Sequence, residues 1–382
     1  MIYLDNAATT RPYDEVIETI SQMNKEYFAN PSSQHSAGYE AEKKLTEAKE
    51  TILSAIGAKS GQLVFTSGGT ESNNQIFYGV LKNAIKRTPH IITTQIEHPS
   101  ILEVVKDLEA QGCEVTYIAP DEFGVISASA VAEAVRENTK IVSVMAVNNE
   151  TGAINPIADI VKKVKAKNPD IIVHSDCVQA MGNIKISVDK WGVDAISLSA
   201  HKICGPKGVG ALYIRDKVRV LPLILGGHQQ KNLRSGTENV PGIVGFAKAA
   251  EIMEKTFSQK MMNLFSIKEE LIEKLSKVEG IEINNKGEKY SSHIASIRVK
   301  NVRSEVILHA LESYGICISA GSACSTNKPA PSHVLLAQGF DRKHIEETIR
   351  VSFGAHTDID EVCAFCDILV KEAAALSRFT RA

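Results

Sequence analysis

The sequence predicts an α/β fold in which a mostly parallel sheet lies between helices and is followed by a smaller α+β unit. Three observations predict it. Between residues 63 and 214, short apolar runs alternate with stretches at helical spacing, the pattern of strands covered on both faces. From about Val240 this alternation gives way to one long helical stretch, then to short strands mixed with helices. Residues able to do chemistry recur just after the apolar runs, where open α/β sheets hold their ligands.

In chain order, Val16, Ile17, Ile20 and Met23 fall at helical spacing within 13–28, and Asn30-Pro31-Ser32-Ser33 breaks that helix. A second helix is expected over 36–56, stopped by Gly57. Seven strands are then expected, at 63–66, 91–94, 115–118, 141–147, 171–174, 193–198 and 209–214. Helices at 71–85, 99–110, 128–135 and 156–164 connect them, with Pro99 in a first turn and Gly112 after an end. A long helix over 240–277 precedes strands at 281–283, 294–299, 316–318 and 349–353 and helices at 304–313 and 359–375. The expected division is 15–254 as a large domain and 1–14 with 255–382 as a small one, bridged by the long helix.

The totals exclude several classes. In 382 residues, 43 Lys and Arg stand against 45 Asp and Glu, a net charge of −2, so nothing marks a nucleic-acid or anionic-membrane surface. No apolar run approaches the ~18 residues of a membrane span. Met1-Ile2-Tyr3-Leu4-Asp5 lacks the basic start and apolar core of a secretory leader. Seven cysteines, an odd number spread along the chain, suit the reduced thiols of a cytoplasmic protein better than a disulfide framework.

Five stretches carry candidate chemistry. Thr66-Ser67-Gly68-Gly69-Thr70 precedes a helix, so its backbone N–H groups and the helix dipole suit an anion, although Thr70 also reads as a plain N-cap. Glu97-His98 follows the second strand and places an imidazole there. Asn148-Asn149-Glu150 follows the fourth. Asp176 in His174-Ser175-Asp176 ends an apolar strand, where a carboxylate needs a cation or a strong donor. Ser199-Ala200-His201-Lys202 sets a lysine among small hydroxyls, where lost water would leave a nucleophilic amine; an exposed turn is the plainer reading. An anion cradle, a carboxylate for a pyridinium and a lysine for an imine together describe a pyridoxal 5′-phosphate (PLP) site.

These motifs, with Arg234-Ser235-Gly236-Thr237, closely resemble the cysteine desulfurases of the NifS/IscS type, class V members of the type I PLP-dependent transferase fold. The resemblance runs from Asp5 to the Arg350 region. It implies that Lys202 carries the cofactor, Asp176 pairs with its pyridine nitrogen and His98 stacks on its ring. Asn149 and Gln179 would bond its phenolic oxygen, Gly69, Thr70, Ser199 and His201 would hold its phosphate, and Ala200 would also belong to the cofactor site. Thr237 would reach the phosphate in a partner subunit, implying a homodimer. Arg350 would clamp the substrate carboxylate, assisted by Asn30 and Asn149. Cys324, in Ser319-Ala320-Gly321-Ser322-Ala323-Cys324-Ser325, resembles the family's nucleophile in the longer form of its loop. The implied reaction takes L-cysteine to L-alanine and leaves a persulfide on Cys324, with His98 as acid/base. The persulfide would pass to an iron–sulfur scaffold or a tRNA-thiolation enzyme, where Cys324 would transiently meet an acceptor's cluster; no resident metal is expected. A selenocysteine lyase, an aminotransferase on the same fold, and a non-catalytic persulfide carrier are the alternatives. Cys363 and Cys366 form a C-x-x-C, yet Ile359, Val362, Cys363, Cys366 and Val370 share helical spacing, which favours packing over metal binding.

Overall fold

The computed structural model describes residues 1–320 and 331–379. Seven strands form the main sheet: β1 (Gln62–Thr66), β2 (His90–Thr94), β3 (Glu114–Ile118), β4 (Thr139–Ser143), β5 (Ile172–Asp176), β6 (Ala195–Ser199) and β7 (Gly210–Ile214). Their order is β1-β7-β6-β5-β4-β2-β3, and only β7 runs antiparallel to its neighbours. The expected mostly parallel sheet is therefore present.

Alternate side chains along each strand enter two different cores, as a period of two requires. Leu63, Phe65, Ile196, Leu198, Ala211 and Tyr213 face one; Val64, Ala195, Leu212 and Ile214 face the other. The first face packs on α1 (Asp14–Glu26) and α2 (Ser36–Ala55) through Val16, Met23, Leu45 and Ile52. The second packs on α3 (Gly69–Leu81) and α4 (Pro99–Ala110) through Ile76, Phe77, Val105 and Leu108. The exposed edge at β1 is covered by Gln230, whose amide accepts from Phe65 N and donates to Phe65 O, imitating a neighbouring strand.

A second sheet contains β8 (Ile281–Ile283), β9 (Ile294–Val299), β10 (Ser319–Ala320) and β11 (Thr348–Ser352) in the order β10-β11-β9-β8, all antiparallel. The helix α5 (Val240–Leu275) joins the two sheets: Phe246 and Met253 lie in the first core, Leu264 and Leu271 in the second. Its 36 residues would span about 54 Å. A final helix, α6 (Ile359–Phe379), adds Val362, Phe365 and Leu369 to the second core. Cys366 is among those core residues and 1% exposed, as its helical spacing predicts.

Two departures from the expected elements have physical reasons. The strand expected over 141–147 ends at Ser143, because the chain beyond it turns to pair with 153–155: Ala146 O accepts from Asn155 N, Val147 bridges Ile154 and Asn148 N donates to Ala153 O. The strand expected over 316–318 is shorter, Ile316–Cys317, which pairs in parallel with Ile2–Tyr3, and after Ile318 the separate strand β10 pairs with β11. Residues 4–7 then run beside β11, with Ser352 N donating to Leu4 O and Ala7 N donating to Ser352 Oγ. This brings the Ala7 and Ala8 carbonyls to the carboxyl ends of the main sheet. No helix among the described residues is long and apolar enough to cross a membrane.

Candidate active site

A cavity of about 370 Å³ opens at those carboxyl ends, within the usual range for small-molecule sites. It adjoins the topological switch point, where β2 continues outward to β3 while β4 lies on its other side. His98 and Asn149 enter from the two sides of that switch, Asp176 and Gln179 from the end of β5, and Ser199, His201 and Lys202 from the end of β6. Gly69 and Thr70 close one end, and Asp5, Ser319 and Arg350 the other.

The Gly69 end is built for an anion. The first N–H groups of α3 have no intrahelical acceptor, and the helix dipole adds to their pull. Glu71 secures this turn: its carboxylate accepts from Ser67 N at 2.8 Å and from Arg234 Nε at 2.9 Å. A glycine is required at position 210, since a Cβ there would lie 2.6 Å from Gly68 Cα and push the turn off the sheet. His201 sits nearby with Nδ1 3.1 Å from Thr9 Oγ1; burial first, then Lys202 and Lys207, bring its pKa down to about 4. It is neutral at pH 7, as a donor to an anion beside two lysines can be.

The floor carries a hydrogen-bonded chain. Asp176 Oδ1 accepts from Val178 N, and Asp176 Oδ2 accepts from Asn73 Nδ2 at 2.8 Å. The other Asn73 N–H goes to Ser100 Oγ, 2.9 Å away. His98 caps α4, and its Nδ1 accepts from Ser100 N at 3.1 Å, so its proton is on Nε2. Ser100 Oγ, 2.8 Å from the same Nδ1, must then donate to it. Burial holds His98 below the ordinary histidine range, Asp176 opposes that, and Lys202 and His333 add to it. Asn73 and Ser100 escaped the sequence reading; Asn73 is one helical turn after Thr70, a spacing that could have found it. Glu97, beside His98, is structural: Thr94 Oγ1 and Met145 N donate to it, and burial pushes its pKa up to about 8.

Lys202 ends a short 3-10 turn, Ala200–Lys202, and its Nζ donates to Ala7 O and Ala8 O. Arg350, on β11 opposite Ser319 and Ser296, is 7% exposed. Its Nη1 donates to Asn149 O, and its Nη2 to Asp5 Oδ1 at 2.9 Å and to Ser319 Oγ at 3.0 Å. Its buried Nε has no hydrogen-bond partner among the described residues. A second anion can therefore be held opposite Gly69, with a lysine amine and an imidazole between the two.

The fold brings Gly69, Thr70, His98, Asn149, Asp176, Gln179, Ser199, His201, Lys202 and Arg350 around one cavity. Ala200 is fully buried behind it. Asn30 and Thr237 are exposed and do not line it; Asn30 Oδ1 accepts from Ser32 N. Cys324 lies outside the described residues. Immediately before that segment, Ser319 lines the cavity, and after it Ser332 Oγ donates to Glu150 and His333 Nε2 lies 2.9 Å from Glu97 O. Ser332 and His333 thus rest on two elements that border the cavity.

Comparison with known proteins gives a consistent result. Residues 2–365 match the family described as aminotransferase class-V. A cysteine desulfurase of Trichormus azollae is 41% identical, covering 99% of this chain and 95% of that protein. The cysteine desulfurase IscS of Dictyoglomus turgidum is 40% identical over 96% of this chain and 93% of its own length. A solved NifS-like protein superposes with a TM-score of 0.93 at 38% identity, covering 98% of this chain and all of that one.

Proposed function

The chain belongs to the aminotransferase class-V family, and from that premise we propose how it works as a cysteine desulfurase, converting L-cysteine to L-alanine and retaining the sulfur on Cys324 as a persulfide. The observation that carries this reading is the placing of Lys202, Asp176 and His98 in one cavity between an anion cradle and Arg350.

The cavity fits PLP. A phosphate suits the α3 N-terminus with Gly69, Thr70, Ser199 and His201, and a Cβ at Gly69, 2.6 Å from Val178 Cγ2, would close that end. Asp176 keeps acceptor capacity beyond its bonds to Asn73 and Val178, which suits a protonated pyridine nitrogen. Lys202 Nζ would hold the carbonyl carbon, His98 would cover the ring, and Asn149 and Gln179 would donate to the ring oxygen. Bound PLP supplies a sink for the electrons released at the substrate Cα.

The chain's own residues do the rest. Arg350 binds the substrate carboxylate by its planar fork, for which Asp5 and Ser319 hold it ready. Lys202, once its amine is free, takes the Cα proton and later returns a proton to form alanine. His98, neutral and carrying its proton on Nε2, moves a proton between the thiols. The Cys324 thiolate attacks the substrate sulfur; the C–S bond breaks, an S–S bond forms, and the carbon fragment is protonated to L-alanine. Thr237, exposed on this chain, is assigned to the phosphate in the cavity of a partner in a homodimer, and Asn30, which does not line this cavity, is given no part in it. The persulfide then passes to an acceptor protein, either an iron–sulfur scaffold or a tRNA-thiolation enzyme.

The direct test mixes PLP-loaded protein with L-cysteine and measures both products. One alanine per persulfide is expected in the first turnover, with no 2-oxo acid required; alanine that appears only with a 2-oxo acid would mean an aminotransferase. Arg350→Lys should raise KM for L-cysteine by about 10- to 100-fold and change kcat less, since a point charge replaces a bidentate pair. An unchanged KM would remove Arg350 from the substrate site.

A further inference from the structure

Behind the cavity, the second sheet sends one buried side chain toward the cofactor face. His293, just before β9, is 2% exposed, and its backbone O accepts from Phe353 N at 2.8 Å. Its Nε2 lies 3.3 Å from Gln179 Oε1 and its Nδ1 2.7 Å from Ser291 Oγ. Gln179 Nε2 donates to Ala7 O at 2.8 Å, and Gln179 O accepts from Asn183 Nδ2 at 3.0 Å.

These contacts admit one direction of donation. Ala7 O is a carbonyl and only accepts, so the Gln179 NH₂ faces it and the Gln179 carbonyl faces His293. That carbonyl also only accepts, so His293 Nε2 carries the proton. Nδ1 is then an acceptor, and the Ser291 hydroxyl donates to it. A neutral imidazole is required for this order. Burial first, then the cations Lys260, Lys268, Arg350 and Lys202, hold His293 well below the ordinary histidine range. Lys260 is anchored on Gly182 O and Asn183 Oδ1, and Lys268 on Ser291 O, so both are fixed beside it.

We propose that His293 is a positioning residue for Gln179: by occupying the amide carbonyl, it turns the amide so that an N–H, and not the C=O, is offered to the cavity. Gln179 lines that cavity, and the second hydrogen of its NH₂ remains beyond the one given to Ala7. This rests on the PLP reading above, in which Gln179 meets the ring oxygen. A donor there stabilises the state left when the bound cofactor loses its proton. If His293 no longer holds the carbonyl, the amide turns over for part of the time and sets oxygen against oxygen.

The readout is the pH midpoint of the visible band of the PLP-loaded protein, compared among wild type, His293→Leu, His293→Asn and His293→Gln. A glutamine places an N–H where the imidazole Nε2 was; an asparagine is too short to reach Gln179. In the leucine and asparagine variants the midpoint should rise by about one pH unit, the effect of one charge-assisted hydrogen bond. The glutamine variant should keep the wild-type midpoint. The Asn–Gln pair decides the matter even if the leucine variant does not fold. Combining His293→Leu with Gln179→Leu should add nothing to Gln179→Leu alone. An asparagine variant with the wild-type midpoint, or a glutamine variant shifted as far as asparagine, overturns the role of His293 alone. A wild-type protein that takes up no PLP overturns the cofactor reading, and this inference with it.

Discussion

Lys202→Ala is expected to lower alanine production from L-cysteine by about a thousandfold or more and to abolish the visible band of covalently held PLP. Two losses coincide in this variant. The primary amine that would hold the carbonyl carbon is gone, and so is the base that takes the Cα proton, a role worth about 10²- to 10⁴-fold in itself. The fold should survive, because the Lys202 amine reaches the Ala7 and Ala8 carbonyls at the cavity wall, while the turn beneath it is held by backbone bonds such as Ile203 N to Ala200 O. Phosphate affinity should survive in part, since the α3 N-terminus is untouched. Equilibrium dialysis with PLP, an absorption spectrum and an alanine assay on one sample separate these effects. Turnover at the wild-type rate in this variant would remove Lys202 from the chemistry altogether.

Cys324→Ala should do something different: leave PLP uptake and colour intact while abolishing persulfide and reducing alanine by a similar thousandfold or more. The argument is chemical. Only the thiolate is nucleophilic toward sulfur, and a free thiol with pKa near 8.5 is only a few per cent ionised at neutral pH. Alanine cannot supply a thiolate, and Cys324→Ser offers an alcohol that does not accept sulfur. The described ends of the chain on either side are already at the site, through Ser319 in the cavity wall and His333 against Glu97. Thiol labelling before and after L-cysteine, with alanine measured in parallel, gives the result. Persulfide on another cysteine at the normal rate would move the nucleophile elsewhere. A colourless protein that still carries persulfide would favour a sulfur carrier over an enzyme.

Much of this was legible in the sequence because it is local. Apolar runs of four to seven residues marked all seven strands of the main sheet, and the residues after them marked the mouth of the cavity. Helical spacing placed Cys366 in a core. What escaped was fixed by partners far away in the chain. Asp5 meets Arg350 because residues 4–7 run beside β11, and His293 meets Gln179 because residues 289–291 pair with 152–154 beside the cavity. Asn73 and Ser100 read as ordinary helix residues until Asp176 and His98 are placed beside them.

The sequence by itself determined the fold class and the type of chemistry, since strand and helix periodicity are backbone properties and lysine, aspartate, histidine and cysteine differ in kind. Only the tertiary structure decided how those groups are charged and aimed. The proton of His98 is on Nε2 because a backbone N–H occupies Nδ1, and the Gln179 amide has one orientation because a carbonyl and an imidazole bracket it. Hydrogen-bond direction depends on which donor meets which acceptor in space, and no one-dimensional spacing records that.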